Sequence, residues 1–173
     1  IMMDVDVVVL RDLTPLFDHL REHGGLHIIR EIPDTLPRTF PKLFPKTLLS
    51  NSSVVGFRAG EQEHLFEMFR NKTIEEVSKF RNDQNFIHYH AKNRQSWPIG
   101  WMQSFKKDLA WHFPVSLVRP VPRPDDAYIV IFHGVPNPED MTKGAFKPWG
   151  SNEKFGFFPV SWIKAYWQKY SRP

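Results

Sequence analysis

"IMMDVDVVVLRDLTPLF" (1–17) decides how this chain is read, because it sets Asp4 and Asp6 one residue apart in an otherwise apolar run. Residues 2–10 carry the pattern of a strand buried on both faces, as in parallel sheets. A buried carboxylate without a partner is costly, so buried charges are normally paired or hold a metal. On a strand, side chains at i and i+2 share a face. The pair is therefore expected to face one ligand at the strand's end, in the crevice where open α/β sheets bind theirs. Hard oxygen ligands favour Mg or Mn.

Working outward, Thr14 and Pro15 are placed as N-cap and first residue of a helix that Gly24 and Gly25 end. "LHIIREI" (26–32) reads as a second strand. The stretch 33–46 carries four prolines and is expected to be an irregular loop or flap. "LLSNSSVVGFRAG" (48–60) is a third strand, interrupted by the polar Asn51, Ser52 and Ser53. "EQEHLFEMFRN" reads as a helix, Thr73 and Glu76 have capping-box spacing, and 82–93 is a further short helix with Asp83 near its start. From residue 97 short aromatic-rich strands are expected at "WPIGWMQSF", "VSLVRPVPRP" and "AYIVIFHG" (127–134). Residues 159–170 have the spacing of an amphipathic helix. Nothing repeats, so the simplest organisation is one α/β domain over 1–173.

Composition narrows the class. The 173 residues include no cysteine, which removes disulfides, thiolate metal sites and thiol nucleophiles and fits a reducing, cytoplasmic setting. No stretch is apolar enough for a transmembrane segment. A net charge of +4 favours anionic partners, yet no run of like charges and no nucleic-acid module is visible. The chain begins with Ile1 inside the apolar run and lacks a basic leader, so it is expected to be a fragment.

Other residues join Asp4 and Asp6 as candidates. His133 ends an apolar strand and precedes Gly134, where an imidazole reaches a metal and the glycine admits a ligand close to the backbone. Asn51 and Ser52 offer amide and hydroxyl groups to a sugar, or simply make a turn. Asp83 and Gln84 at a helix start either orient a hydroxylic acceptor or serve the helix dipole. His19, His23, His27, His88 and His90 show no converging spacing. Trp97, Trp101 and Trp111 are candidates for stacking on sugars, with a core role expected for at least two.

In order along the chain, these pieces resemble GT-A-fold, DXD-containing nucleotide-sugar glycosyltransferases, particularly those similar to family 8. "IMMDVDVVVLRDLTPLF" looks like their DXD strand, "LLSNSSVVGF" like "FNSGVMLF" with Ser53 where glycine is common, and "NDQNFI" like "DQ-x-x-(L/F)". "VIFHGVPNP" is similar to the late "HF-x-G-x-x-KPW" segment. "WPIGWMQSFK", "FHGVPNP" and "PVSWIKAYW" are similar to segments of bacterial glycosyltransferase-like proteins. The resemblance implies a GT-A-like (Rossmann-like) mixed sheet flanked by helices, and a Mn2+ (or Mg2+) ion held by Asp4, Asp6 and His133. Asn51, Ser52, Asp83 and Gln84 would line the sugar and acceptor site, with Gly134 at its edge and Lys106 neutralising phosphate. The donor would be a UDP-sugar, the acceptor a glycan, lipid or protein, and transfer would retain configuration. Two departures stand out. "KPW" recurs only at 147–149, and the nucleotide-binding βα units that should precede the DXD strand are missing, leaving the catalytic and acceptor half.

Two rivals stay open. "MMDVDVV" also fits a haloacid dehalogenase-type phosphatase with Asp4 as nucleophile, although Asp125 and Asp126 precede the late strand rather than end it. A basic, aromatic-rich carbohydrate or nucleic-acid binder would need neither aspartate.

Overall fold

The N-terminal apolar run does not form one strand. In the computed structural model, which describes residues 1–30, 50–73, 75, 78–80, 82–132, 134–143, 148–151 and 154–170, it divides into β1 (Met2–Met3) and β2 (Val7–Val9). Between them Asp4 and Val5 lie exposed and Asp6 half-buried. Both carboxylates keep access to water this way, which a strand buried on both faces would deny them. The expected two-sided burial is also absent from β1, whose methionines are exposed, and from β2, where Val8 is the buried residue.

The elements that follow are α1 (Thr14–His23), β3 (Leu26–Arg30), β4 (Ser50–Gly56), α2 (Glu63–Arg70), α3 (Asp83–His90) and β5 (Arg94–Ser96). Then come β6 (Met102–Ser104), a π-helical turn (Phe105–Leu109), a 3-10 turn (Val115–Leu117), β7 (Ile129–Ile131) and a second 3-10 turn (Pro138–Thr142). The hairpin strands β8 (Trp149–Ser151) and β9 (Lys154–Gly156) precede α4 (Ser161–Tyr170). Contacts group these elements into two compact units. Unit 1 comprises Ile1–Val5 and Asp12–Ile99, and unit 2 comprises Asp6–Arg11 and Gly100–Pro173. The chain is thus α/β with mixed sheets flanked by helices.

In unit 1 the sheet runs β1-β4-β3-β5. β4 is antiparallel to β1 and β3, while β5 runs parallel to β3. The run 48–60 does supply a strand, but Asn51, Ser52 and Ser53 lie within it rather than breaking it. α1 has Pro15 in its first turn; Leu13, not Thr14, is its N-cap and has no side-chain cap bond, while the Asp12 carboxylate before it accepts from the Thr14 N–H and hydroxyl at 2.9 Å. Its end is set by Gly24 and Gly25, both with positive φ. Leu26, Ile28 and Val55 form a core cluster against which Phe57, Leu65, Ile87 and Ala91 pack. Trp97 is buried, donating from Nε1 to the Val54 carbonyl at 3.0 Å and covering Gly56. The proline-rich stretch 33–46 and Glu76 lie outside the described residues.

In unit 2, β7 is central, antiparallel to β2 and parallel to β6. Its core is apolar and aromatic: Phe105 stacks on Phe132 at 4.9 Å and meets Trp149 edge-on at 5.6 Å, with Val8, Val130, Met141, Val160 and Ile163 around them. α4 buries Ile163 and packs Trp162 and Tyr166 against this cluster, as its spacing predicts. "VSLVRPVPRP", expected to be a strand, is a single 3-10 turn followed by irregular chain. Pro120, Pro122 and Pro124 remove every second ladder donor there.

Candidate functional site

In unit 1, β4 and the first turn of α3 bring together four of the expected residues from segments about thirty positions apart. Asn82 caps α3, its Oδ1 accepting from the Asn85 N–H at 2.9 Å. That leaves Asp83 and Gln84 as the first helical residues, where the helix dipole favours negative charge. The Ser52 hydroxyl donates to Asp83 Oδ2 at 3.4 Å, and the Ser52 N–H to Gln84 Oε1 at 3.4 Å. Both bonds are long, so these groups remain open to a better partner. Asn51 Oδ1 accepts from the Ser53 N–H at 3.0 Å. One position further along β4, the Ser50 hydroxyl bonds His88 Nδ1 at 2.8 Å and ties the strand to the body of α3.

Asp4 belongs to the same unit, its N–H donating to the Ser53 carbonyl at 3.0 Å. Its carboxylate is exposed and has no ion-pair partner among the described residues. Because β1 pairs Met3 with Val54, Asp4 continues the sheet edge beside Ser53 and the β4 cluster. A carboxylate, a hydroxyl and two carboxamides at the surface can bind a polyhydroxylated ligand through both donors and acceptors.

The remaining candidates are in unit 2. The Asp6 carbonyl accepts from the Phe132 N–H at 3.1 Å, which fixes Asp6 beside the residue that precedes position 133. His133 itself lies outside the described residues. Gly134 is exposed with φ +66°, a left-handed conformation that favours glycine, and open space lies where a side chain would begin. Lys106 sits half-buried in the π-helical turn, which Ser104 closes by accepting from the Lys107 N–H at 3.1 Å. Asp4 and Asp6 are not on one strand, so the shared-face expectation does not hold. Among the described residues no three His, Asp or Glu side chains are grouped as a metal ion requires.

Of the tryptophans, Trp97 is core. Trp101 is half-buried against Tyr128, and Trp111 carries the Arg119 guanidinium 4.0 Å above its ring. Trp149 of the displaced "KPW" is buried and donates to the Phe158 carbonyl at 2.6 Å. Sequence reasoning passed over one assembly, the rings of His19, His23, His27 and Trp97. The signal was the spacing of four between successive histidines, which a glycine pair folds back on itself.

Among the described residues no helix is long and apolar enough to cross a membrane. No family model, no curated protein and no solved structure matches the chain.

Proposed function

We propose that the chain is the catalytic and acceptor portion of a metal-dependent, GT-A-type glycosyltransferase that moves a sugar from a nucleotide-sugar, such as a UDP-sugar, to an acceptor hydroxyl. The observation that carries this reading is the meeting of Ser52 on β4 with Asp83 and Gln84 at the capped start of α3. Asp83 accepts the hydrogen of the acceptor hydroxyl and so directs its lone pair at the sugar's anomeric carbon. Gln84, Ser52 and Asn51 hold the sugar's other hydroxyls, donating or accepting as each requires.

Asp4, Asp6 and His133 are the residues that would hold Mn2+ or Mg2+. Two carboxylates and an imidazole are a donor set such ions accept. The ion would supply charge neutralisation to the departing diphosphate. Lys106 would add a positive charge for the same group, with Gly134 as a further donor-binding residue.

Calorimetric titration of Mn2+ with UDP tests the reading on the intact chain and on D4A/D6A. Metal-dependent nucleotide binding that the double variant loses is the expected result. D83N is expected to retain that binding and to slow UDP-sugar turnover by about 100-fold, the low end for a positioned proton acceptor. Metal-dependent nucleotide binding undiminished in D4A/D6A, or full turnover in D83N, overturns it.

A further inference from the structure

Three histidines outside the proposed transfer site stand together in unit 1. α1 carries His19 and His23, and β3 carries His27. Ring centroids are 4.1 Å apart for His19 and His23, 4.8 Å for His19 and His27, and 6.4 Å for His23 and His27. Trp97 closes the group at 5.1 Å from His27 and 6.1 Å from His19. His27 is 0% exposed. Its Nε2 lies 3.0 Å from the Gly24 carbonyl oxygen, which only accepts, so Nε2 carries the hydrogen and the neutral ring's lone pair is on Nδ1. That Nδ1 is buried with no hydrogen-bond partner among the described residues. A proton added there would create a buried cation whose new N–H has no acceptor placed for it among the described residues, beside two further imidazoles.

We propose that this cluster is a proton-operated latch: acidification charges it and frees the C-terminal half of α1 from β3, loosening unit 1 while unit 2 stays closed.

The neighbouring elements bring charged groups to the cluster: the loop before α2 carries Arg58, which donates to the Arg21 carbonyl of α1, and β5 carries Arg94, paired with Leu26. α1 brings His19, His23 and Glu22, and the segment before α2 brings Glu61, whose Oε2 accepts from the Gly25 N–H at 3.1 Å. β5 places Gln95 opposite His27, and β4 places Gly56 there. Burial is the largest influence on His27 and lowers its pKa, and His19 and His23 lower it further; the Gly24 hydrogen bond and Glu61 oppose them. His19 is lowered by burial and then by His23, against Glu22. Both rings therefore take up a proton less readily in the folded unit than in the unfolded chain, where a histidine does so near pH 6.5. The folded state then binds fewer protons than the unfolded one, so stability is intact above about pH 6.5 and falls as pH drops below it, levelling off once the folded rings titrate. His88 and His90 of α3 are lowered as well, chiefly by burial, so the readout must be local. In unit 2, Asp140 is held low by the Lys143 ammonium and the Asn137 N–H, and its contribution is lost only below the ordinary carboxylate value of 3.8.

Hydrogen exchange of the intact chain, corrected for intrinsic rates, is compared at about pH 7.5 and about pH 5.5, either side of the free histidine value. Peptides of α1 and β3 are expected to exchange several-fold faster at the lower pH, while β2, β6 and β7 keep their protection. H27Q retains a donor for Gly24 and takes no proton, so the acid-induced increase should vanish. H19Q replaces a half-buried ring and should reduce it. Equal protection of α1 and β3 at both pH values overturns the latch, as does an undiminished increase in H19Q. Those two results decide the matter even if H27Q does not fold.

Discussion

The two units solve the same problem with different materials. Unit 2 seals its core with Phe105, Phe132, Trp149, Met141 and Ile163, none of which titrates. Unit 1 places an imidazole, His27, among its most completely buried side chains and packs it against other rings. Apolar packing holds at any pH, whereas a core that contains imidazole holds only while the imidazole is neutral. The candidate polar cluster of Asn51, Ser52, Asp83 and Gln84 is also in unit 1, the unit whose core contains the imidazole.

Substitutions can break or sharpen this contrast. The largest effect is expected from Phe105→Ala, which removes a fully buried ring between Phe132 and Trp149. Chemical denaturation should show a loss of about 3–5 kcal/mol, with hydrogen exchange rising in β6 and β7. A loss confined to unit 1 would contradict the assignment of that core. Next comes Gly56→Ala in unit 1. Its Cβ would lie 2.6 Å from the Trp97 ring and 2.9 Å from Leu20, so overpacking should cost about 1–3 kcal/mol. A change in tryptophan emission should accompany it, and an unaltered spectrum with unaltered stability would refute the close approach. Asn82→Ala is the mildest. Loss of the α3 cap should cost about 1 kcal/mol and loosen Asp83 and Gln84, seen as faster exchange of the Asn85 amide without change in unit 2.

Much of this architecture was legible in the residues. Pro15 and the Gly24-Gly25 pair bracket α1, and the 3.6-residue period marked α4. The strand carrying Asn51 and Ser52 and the helix beginning at Asp83 were found because each has local punctuation: a β-branched run ending in Gly56, and an Asn-Asp start. What failed had no local signature. An apolar run records that it avoids water but not which sheet receives it, so the division at Asp4-Val5-Asp6 between two sheets was invisible. Likewise "VSLVR" has strand composition, and only the prolines after it show that no ladder can form. The histidine group depends on a turn at Gly24-Gly25 that returns His27 to the face of α1, and on Trp97 arriving from far along the chain.

The division of the N-terminal run has a consequence for biosynthesis. β2 is made long before the strand it pairs with, β7, which begins at Ile129. During translation β2 therefore leaves the ribosome with both its edges unsatisfied, and the loop that finally closes on it spans most of the chain. Unit 2 consequently lacks one of its strands when cut as a C-terminal piece. A chain of residues 100–173 alone would expose the edge of β7 that Val7–Val9 covers, and a peptide carrying residues 6–11, supplied separately, would be the strand that completes it.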